Sequence, residues 1–190
     1  MSTDDYARAA AAIAALGLTG PNNEVAGYWL SRWDNSKQPR MDCFNDHPIW
    51  KHAPAISAFE IREHESVRCI KGAAFVKLTA GFDFANQDVL SLTNAVDRDG
   101  LLAWMWQIAS GAVSVYSRPY KSNIGSSGLA QGVALPFSDE HKGLRYFLTH
   151  TNWRPVGDEW VQGNVTIDLQ IPSQRRVIGF MPVTPEAALI

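Results

Sequence analysis

The sequence has little of what several protein classes require. Its 190 residues include only two cysteines, Cys43 and Cys69, too few for the disulfide framework of a small secreted protein. No apolar run approaches the ~18 residues needed to cross a bilayer. The N-terminus opens on Ser2-Thr3-Asp4-Asp5, whereas a secretory signal begins with a positive segment. We therefore expect reduced thiols, no membrane span and a cytoplasmic protein.

An excess of charge of one sign is also missing. The chain has 17 Lys and Arg against 19 Asp and Glu, and its formal net charge is −2. A protein that binds a polyanion through a broad surface normally carries a clear excess of basic residues. Nucleic acid is therefore not expected as the main partner.

Catalytic signatures are absent as well. The sequence has no GxGxxG, P-loop, GxSxG, HExxH or CxxC motif. The nearest metal-like grouping is Cys43, Asp46, His47 and His52, whose C-x3-H-x4-H spacing fits no common zinc site. A solvated loop is the alternative interpretation of that segment.

One short segment crowds reactive residue types together. Ser138-Asp139-Glu140-His141 holds a hydroxyl, two carboxylates and an imidazole, but adjacent residues cannot form a line of nucleophile, base and orienting group. We interpret the segment as a turn. The sequence thus predicts a protein that is not an enzyme, with no catalytic residue and no metal ligand.

What is present indicates an α+β domain. Periodicity and stop residues predict helices at 3–16, from Asn22 or Asn23 onward, at 73–80 and at 97–110. β-type runs predict strands at 55–63, 66–71, 112–121, 128–137 and 143–153. Hairpin-length joints between these runs indicate one five-stranded antiparallel sheet with helices covering one face. Weaker β-type runs at 161–171 and 177–180 have no predicted place.

Three segments follow from this order: an N-terminal helix in residues 1–20, a domain over 21–153 and a C-terminal extension over 154–190. The N-terminal helix is alanine-rich and its apolar stripe is thin. Such a helix gains little by burying its own face, so it packs on another chain or docks on its own domain. We expect it to mediate homodimerisation.

Aromatic residues are the enriched feature of the sequence, which contains seven Trp residues. Most of them will be core residues. A sheet with a helical cover can nevertheless leave an apolar cavity between the layers, and ligands lodge in such cavities. The sequence thus favours binding over catalysis.

The element order and several short motifs resemble the bacterial PAS-like regulatory family over about residues 24–153. The family carries a Trp–Arg helix, a Pro-Arg-x-Asp loop, an alternating strand, two glycine turns and a Leu-Pro-type strand end. Here they read Tyr28-Trp29-Leu30-Ser31-Arg32-Trp33, Pro39-Arg40-Met41-Asp42, Ala58-Phe59-Glu60-Ile61, Ile70-Lys71-Gly72-Ala73-Ala74, Ala80-Gly81-Phe82-Asp83 and Ala134-Leu135-Pro136-Phe137-Ser138. The chain departs from the family at Ala73, where Thr is favoured, and at Ala85-Asn86-Gln87, which lacks a glycine.

The resemblance implies a sensory or regulatory module that binds a small ligand, a signalling partner such as a kinase, or both. Its cofactor is unknown. Haem is not expected, because the helix-rich middle holds no His to ligate it, and covalent flavin chemistry is not expected, because no suitably placed Cys lies there. The alternative is a ligand-free module for protein–protein interaction and dimerisation, and a third hypothesis is an enzyme of unknown class. The candidate ligand-binding residues are Phe75, Trp104, Tyr116, Leu135 and Phe147.

Overall fold

The computed structural model describes residues 3–34, 37–45, 47–62, 66–74, 83–93, 95–122, 127–141, 143–154, 165–166 and 174–181. Helix α1, Thr3–Leu16, was predicted and is confirmed. Asp4 and Asp5 lie in its first turn, where carboxylates favour a helix N-terminus, and both pair with Arg8. The helix stops at Gly17, whose φ of 65° belongs to the left-handed region that glycine tolerates.

Helix α2, Gly20–Ser31, begins earlier than the predicted Asn cap. Thr19 is its N-cap residue, and Pro21 stands in the first turn, where a missing N–H costs nothing. Asn22 is instead buried inside the helix and bonds across to the sheet. Two 3-10 segments follow, Met41–Asn45 and His47–Ala55. Helix α3 spans Ala95–Ala109, which confirms the predicted helix at 97–110 with both bounds shifted by one or two residues.

The described residues form a seven-stranded antiparallel sheet. Its strands are β1 (Ile56–Arg62), β2 (Ser66–Lys71), β3 (Ala112–Ser122), β4 (Ser127–His141), β5 (Leu144–Arg154), β6 (Val165–Thr166) and β7 (Gln174–Gly179). Five of them follow the order β2-β1-β5-β4-β3. The predicted meander is confirmed, because β3 pairs with β4 and β4 with β5.

The two additional strands come from the C-terminal extension. β6 and β7 both pair with the outer side of β3, at different points along its length. At the opposite edge, backbone bonds join the segment 86–89 to Val67 and Cys69 of β2. Both edges of the five-stranded core are therefore partly paired, which removes exposed N–H and C=O groups.

Helices lie on both faces of the sheet, so the prediction that they cover one face is wrong. α1 and α2 pack on a face formed by Val113, Val133, Leu135 and Leu148. α3 packs on the other face, against Ala112, Ala134 and Phe147. We call these the α1–α2 face and the α3 face. The physical reason is visible in β4, which is apolar on both sides and so needs two covering layers.

Helix α1 docks on its own domain. Ala9, Ala12, Ile13 and Leu16 are all buried in the core of the α1–α2 face, and Arg8 Nε donates to the Phe180 carbonyl oxygen at 2.9 Å. The apolar face to which the sequence assigned dimerisation is thus occupied within the same chain. No helix of the described residues is long and apolar enough to span a membrane.

Candidate functional site

Three of the candidate ligand-binding residues meet on the α3 face. Trp104 projects from α3, Tyr116 from β3 and Phe147 from β5, and all belong to one apolar cluster. The Trp104 and Tyr116 rings meet edge to face with centroids 5.5 Å apart. Phe147 stacks on Phe59, with centroids 4.9 Å apart. The small-residue side of β4, which includes Gly132 and Ala134, lies beneath them.

The polar group of Trp104 is satisfied inside the protein. Its Nε1–H donates to Ser114 Oγ at 3.0 Å, and that hydroxyl donates to the Arg176 carbonyl oxygen at 2.9 Å. The Arg175 guanidinium lies over the indole ring, 5.1 Å from its centroid. Trp104 is therefore held by hydrogen bonds and a cation–π contact.

Tyr116 is fixed in a similar way. Its hydroxyl lies 2.7 Å from Thr151 Oγ1 on β5. Its ring crosses directly over Gly132, its partner on β4, and a Cβ at that glycine would lie 2.2 Å from the ring carbon Cζ. Glycine at this position is what allows the aromatic ring to lie flat against the sheet.

The other two candidates do not join this group. Leu135 is fully buried on the α1–α2 face, on the opposite side of the sheet. The period-two pattern of β4 predicts that Leu135 and Ala134 lie on opposite faces of the sheet, but it does not predict which face contacts α3. Phe75 lies outside the described residues.

Three motifs of the family resemblance converge at one place in the fold. Trp29 Nε1 donates to the Pro136 carbonyl oxygen at 2.8 Å. The Pro39 carbonyl oxygen accepts a bond from the Ser138 backbone N–H at 3.0 Å, and Asp139 accepts one from the Met41 N–H at 2.6 Å. The helix, loop and strand-end motifs are thus joined by hydrogen bonds.

The segment Ser138-Asp139-Glu140-His141 is not a turn, contrary to the prediction. It continues β4, which ends at His141, and a register irregularity lies between Phe137 and Glu140. The irregularity lets the segment stay paired with β5 while Asp139 reaches Met41 and Arg40. Ser138 and Asp139 contribute polar groups to the junction described above.

Sequence reasoning missed a buried polar cluster on the α1–α2 face. His150 Nδ1 lies 2.7 Å from Asn22 Oδ1, and Asn22 Nδ2 donates to the Gln131 carbonyl oxygen at 3.3 Å. The Asn22 oxygen therefore accepts the Nδ1–H of a neutral imidazole. The His52 ring meets the His150 ring edge to face at 5.2 Å, and its Nε2 lies 3.0 Å from Glu24 Oε2.

Burial, together with the neighbouring His52, lowers the pKa of His150 to about 4 against an opposing effect of Glu24. Asn22 and His150 are 128 residues apart, so no local motif signals their contact. The period-two pattern does place His150 on the same face as the buried Leu148. This alternation is the feature of the sequence that could have predicted a buried imidazole at His150.

Among the clefts lined by described residues, two are candidates for binding a ligand. The larger, of about 380 Å³, is lined by Glu60, Arg62, Ser66, Val67, Arg68, Asn86, Asp88 and Leu144. The smaller, of about 180 Å³, is lined by Met41, Asp42, Phe44, Asn45, Ile56, Ala58, Ile70, Lys71, Phe137 and Leu148. Neither is lined by Trp104, Tyr116 or Phe147.

The structure also describes the buried Cys69 and part of the metal-like grouping noted in the sequence. Burial raises the pKa of the Cys69 thiol to about 11, so this group stays protonated and is a poor nucleophile. In the described part of the chain, no group of three or more His, Cys, Asp or Glu residues could hold a metal ion. His52 pairs with Glu24, and Asp46 lies outside the described residues.

Comparison with known proteins adds no family to this description: no family model, no curated protein and no solved structure matches the chain.

Proposed function

We propose that this protein is a PAS-like regulatory module that acts by binding a small ligand, without a catalytic step of its own. The observation that carries the proposal is the strand order β2-β1-β5-β4-β3. A hairpin, a helical middle and a three-stranded meander are the arrangement that the family resemblance implies. Fold alone does not define function, so the ligand must be sought at a specific site.

The convergence of motifs supports the same proposal. The residues that carry the resemblance are distant in sequence, yet Trp29 bonds to Pro136 and Pro39 to Ser138. Their contacts give the sequence spacing a structural role at the end of β4.

The α3 face holds the candidate ligand site of this proposal. Trp104, Tyr116 and Phe147 supply its aromatic wall. Trp104→Ala should then weaken binding of any small molecule that copurifies with the protein. A side chain facing a ligand pocket should also cost distinctly less stability on truncation than the about 3–5 kcal/mol of a packed Trp.

Thermal unfolding with and without the small-molecule extract of the wild-type protein tests this site. A ligand-dependent rise in Tm in the wild type, reduced in Trp104→Ala, supports it. The exposed Trp50 is the matched control, since Trp50→Ala should leave the rise unchanged. A large loss of stability in Trp104→Ala, with no ligand-dependent shift in either protein, would contradict the site.

A second candidate function is a ligand-free module for protein–protein interaction, with a kinase-type signalling protein as its partner. The observation in its favour is the packing of the aromatic set: the Trp104 N–H and the Tyr116 hydroxyl are both satisfied within the protein. A wall whose polar groups already have partners offers a ligand no directional contact. Under this alternative the same unfolding experiment gives no ligand-dependent shift.

A further inference from the structure

The smaller cleft lies on the α1–α2 face, on the side of the sheet opposite to Trp104. Its floor follows from the strand register: Ala58 on β1 stands between Lys71 of β2 and Leu148 of β5. Both neighbours are longer than alanine, so a dip remains above Ala58. All three residues line the cleft.

Aromatic rings form part of the cleft wall. Phe44 comes from the first 3-10 segment and Phe137 from β4, and their rings meet edge to face with centroids 5.3 Å apart. Both side chains are buried. A further ring placed against them would gain edge or face contacts, which aromatic groups favour over contact with water.

The size of the cleft limits its occupant. An apolar cavity of about 150 Å³ is known to bind benzene, and this cleft measures about 180 Å³. It therefore accommodates a single ring with a short substituent.

The charged residues that line the cleft indicate whether that substituent is anionic or cationic. Asp42, the acidic residue of the cleft lining, lies 3.9 Å from Arg40 Nε. Its carboxylate thus has a cationic neighbour. Lys71 is exposed and, within the described ranges, has no carboxylate partner, so it is the charge left to meet a ligand.

We propose that this cleft binds a small aromatic carboxylic acid, with its ring against Phe44, Phe137 and Ala58 and its carboxylate toward the Lys71 ammonium. The site is separate from the α3 face. It does not depend on the PAS-like proposal, and its failure would leave that proposal standing.

The test compares three probes that share one ring, namely phenylacetate, benzyl alcohol and benzylamine. Binding to the full chain is followed by protein NMR, with the shifts of Ala58 and Ile70 as reporters. We expect fragment-strength affinity, in the about millimolar range, in the order acid, alcohol, amine. Lys71→Gln should cut the preference for the acid by about two- to fivefold, the range of an exposed ion pair.

Variants at two further positions, Ala58 and Lys37, separate the effect of cleft shape from that of charge. Ala58→Leu fills the dip and should abolish binding of all three probes; Ala58→Met serves the same purpose should the leucine variant not fold. Lys37→Gln is the charge control, since this exposed lysine is not among the cleft residues. Any of three results would overturn the proposal. They are NMR shifts confined to other regions, unchanged binding in the folded Ala58 variant, and no preference for the acid over the amine.

Discussion

At the scale of single residues, His150 makes stability depend on pH. An unperturbed imidazole has a pKa of 6.5, and burial lowers the pKa of His150 to about 4 in the folded chain. Below the unfolded value, the unfolded chain takes up a proton that the folded chain does not. The stabilisation of the folded state that comes from neutral His150 is therefore fully present above about pH 6.5 and is lost as the pH falls toward 4.

We predict that His150→Gln flattens this dependence, because glutamine can still donate to Asn22 but does not titrate. The wild type should lose about 3 kcal/mol of unfolding free energy between pH 6.5 and 4 through this group. Urea denaturation at a series of pH values measures it. Equal slopes in the wild type and the variant across that window would show that His150 is not the group responsible.

Gly132 provides a second prediction at this scale. A methyl group there would collide with the Tyr116 ring, so Gly132→Ala must displace the ring and weaken its bond to Thr151. We expect a loss of about 1–3 kcal/mol in chemical denaturation, as for an overpacked core.

Gly27 in α2 is the matched control for that substitution. A Cβ there would have nothing within 4 Å, so Gly27→Ala should stabilise the helix by up to about 1 kcal/mol. Both changes add one methyl group to a glycine, and the sign of the effect should differ. Equal effects would mean that the close approach of Tyr116 does not matter.

At the scale of elements, β7 ties the C-terminal extension to α3. Arg175 Nη2 lies 3.1 Å from Asp97 Oδ2, and Nη1 donates to the Gly100 carbonyl oxygen at 3.1 Å. Both side chains of the ion pair are largely buried, and burial lowers the pKa of Arg175 despite the opposing effect of Asp97. Breaking such a pair leaves a charge in a poorly solvated place.

We predict that Asp97→Asn lowers the unfolding free energy by about 1–3 kcal/mol. A double-mutant cycle with Arg175→Gln should show coupling between the two sites. The exposed pair Arg40 and Asp42 is the control, and Asp42→Asn should cost less than about 1 kcal/mol. Additive effects of the two substitutions in the buried pair would rule out the coupling.

Helix α1 is a structural element of its own domain in this account. Ile13 is buried against the sheet, so Ile13→Ala should cost about 2–5 kcal/mol, while Ala14→Gln on the exposed side should have little effect. Light scattering should give the same molar mass in solution for the wild type and both variants. A shift from dimer to monomer in Ile13→Ala, with stability retained, would restore the dimerisation role.

The sequence predicted the elements better than their layers. Apolar alternation and glycine stops located α1, α3 and the meander, because these signals are local. Alternation could state that Leu135 and Ala134 face opposite ways, but not that both faces are covered. The contact between Asn22 and His150 and the pairing of β7 with β3 depend on residues far apart in the chain, so no local pattern encodes them.

At the scale of the whole molecule, both faces of the sheet carry a helical layer and each layer has its own candidate site. The α3 face holds the aromatic set of Trp104, Tyr116 and Phe147, and the α1–α2 face holds the cleft over Ala58. The central claim is that the protein works by holding a small molecule. Neither site needs a nucleophile or a metal for that task.

Native mass spectrometry of the full chain, purified without denaturation, tests this claim most directly. The account predicts a folded species heavier than the chain by the mass of a small molecule, which is released on denaturation. A folded chain that has the same mass under native and denaturing conditions would contradict the claim and favour the ligand-free alternative.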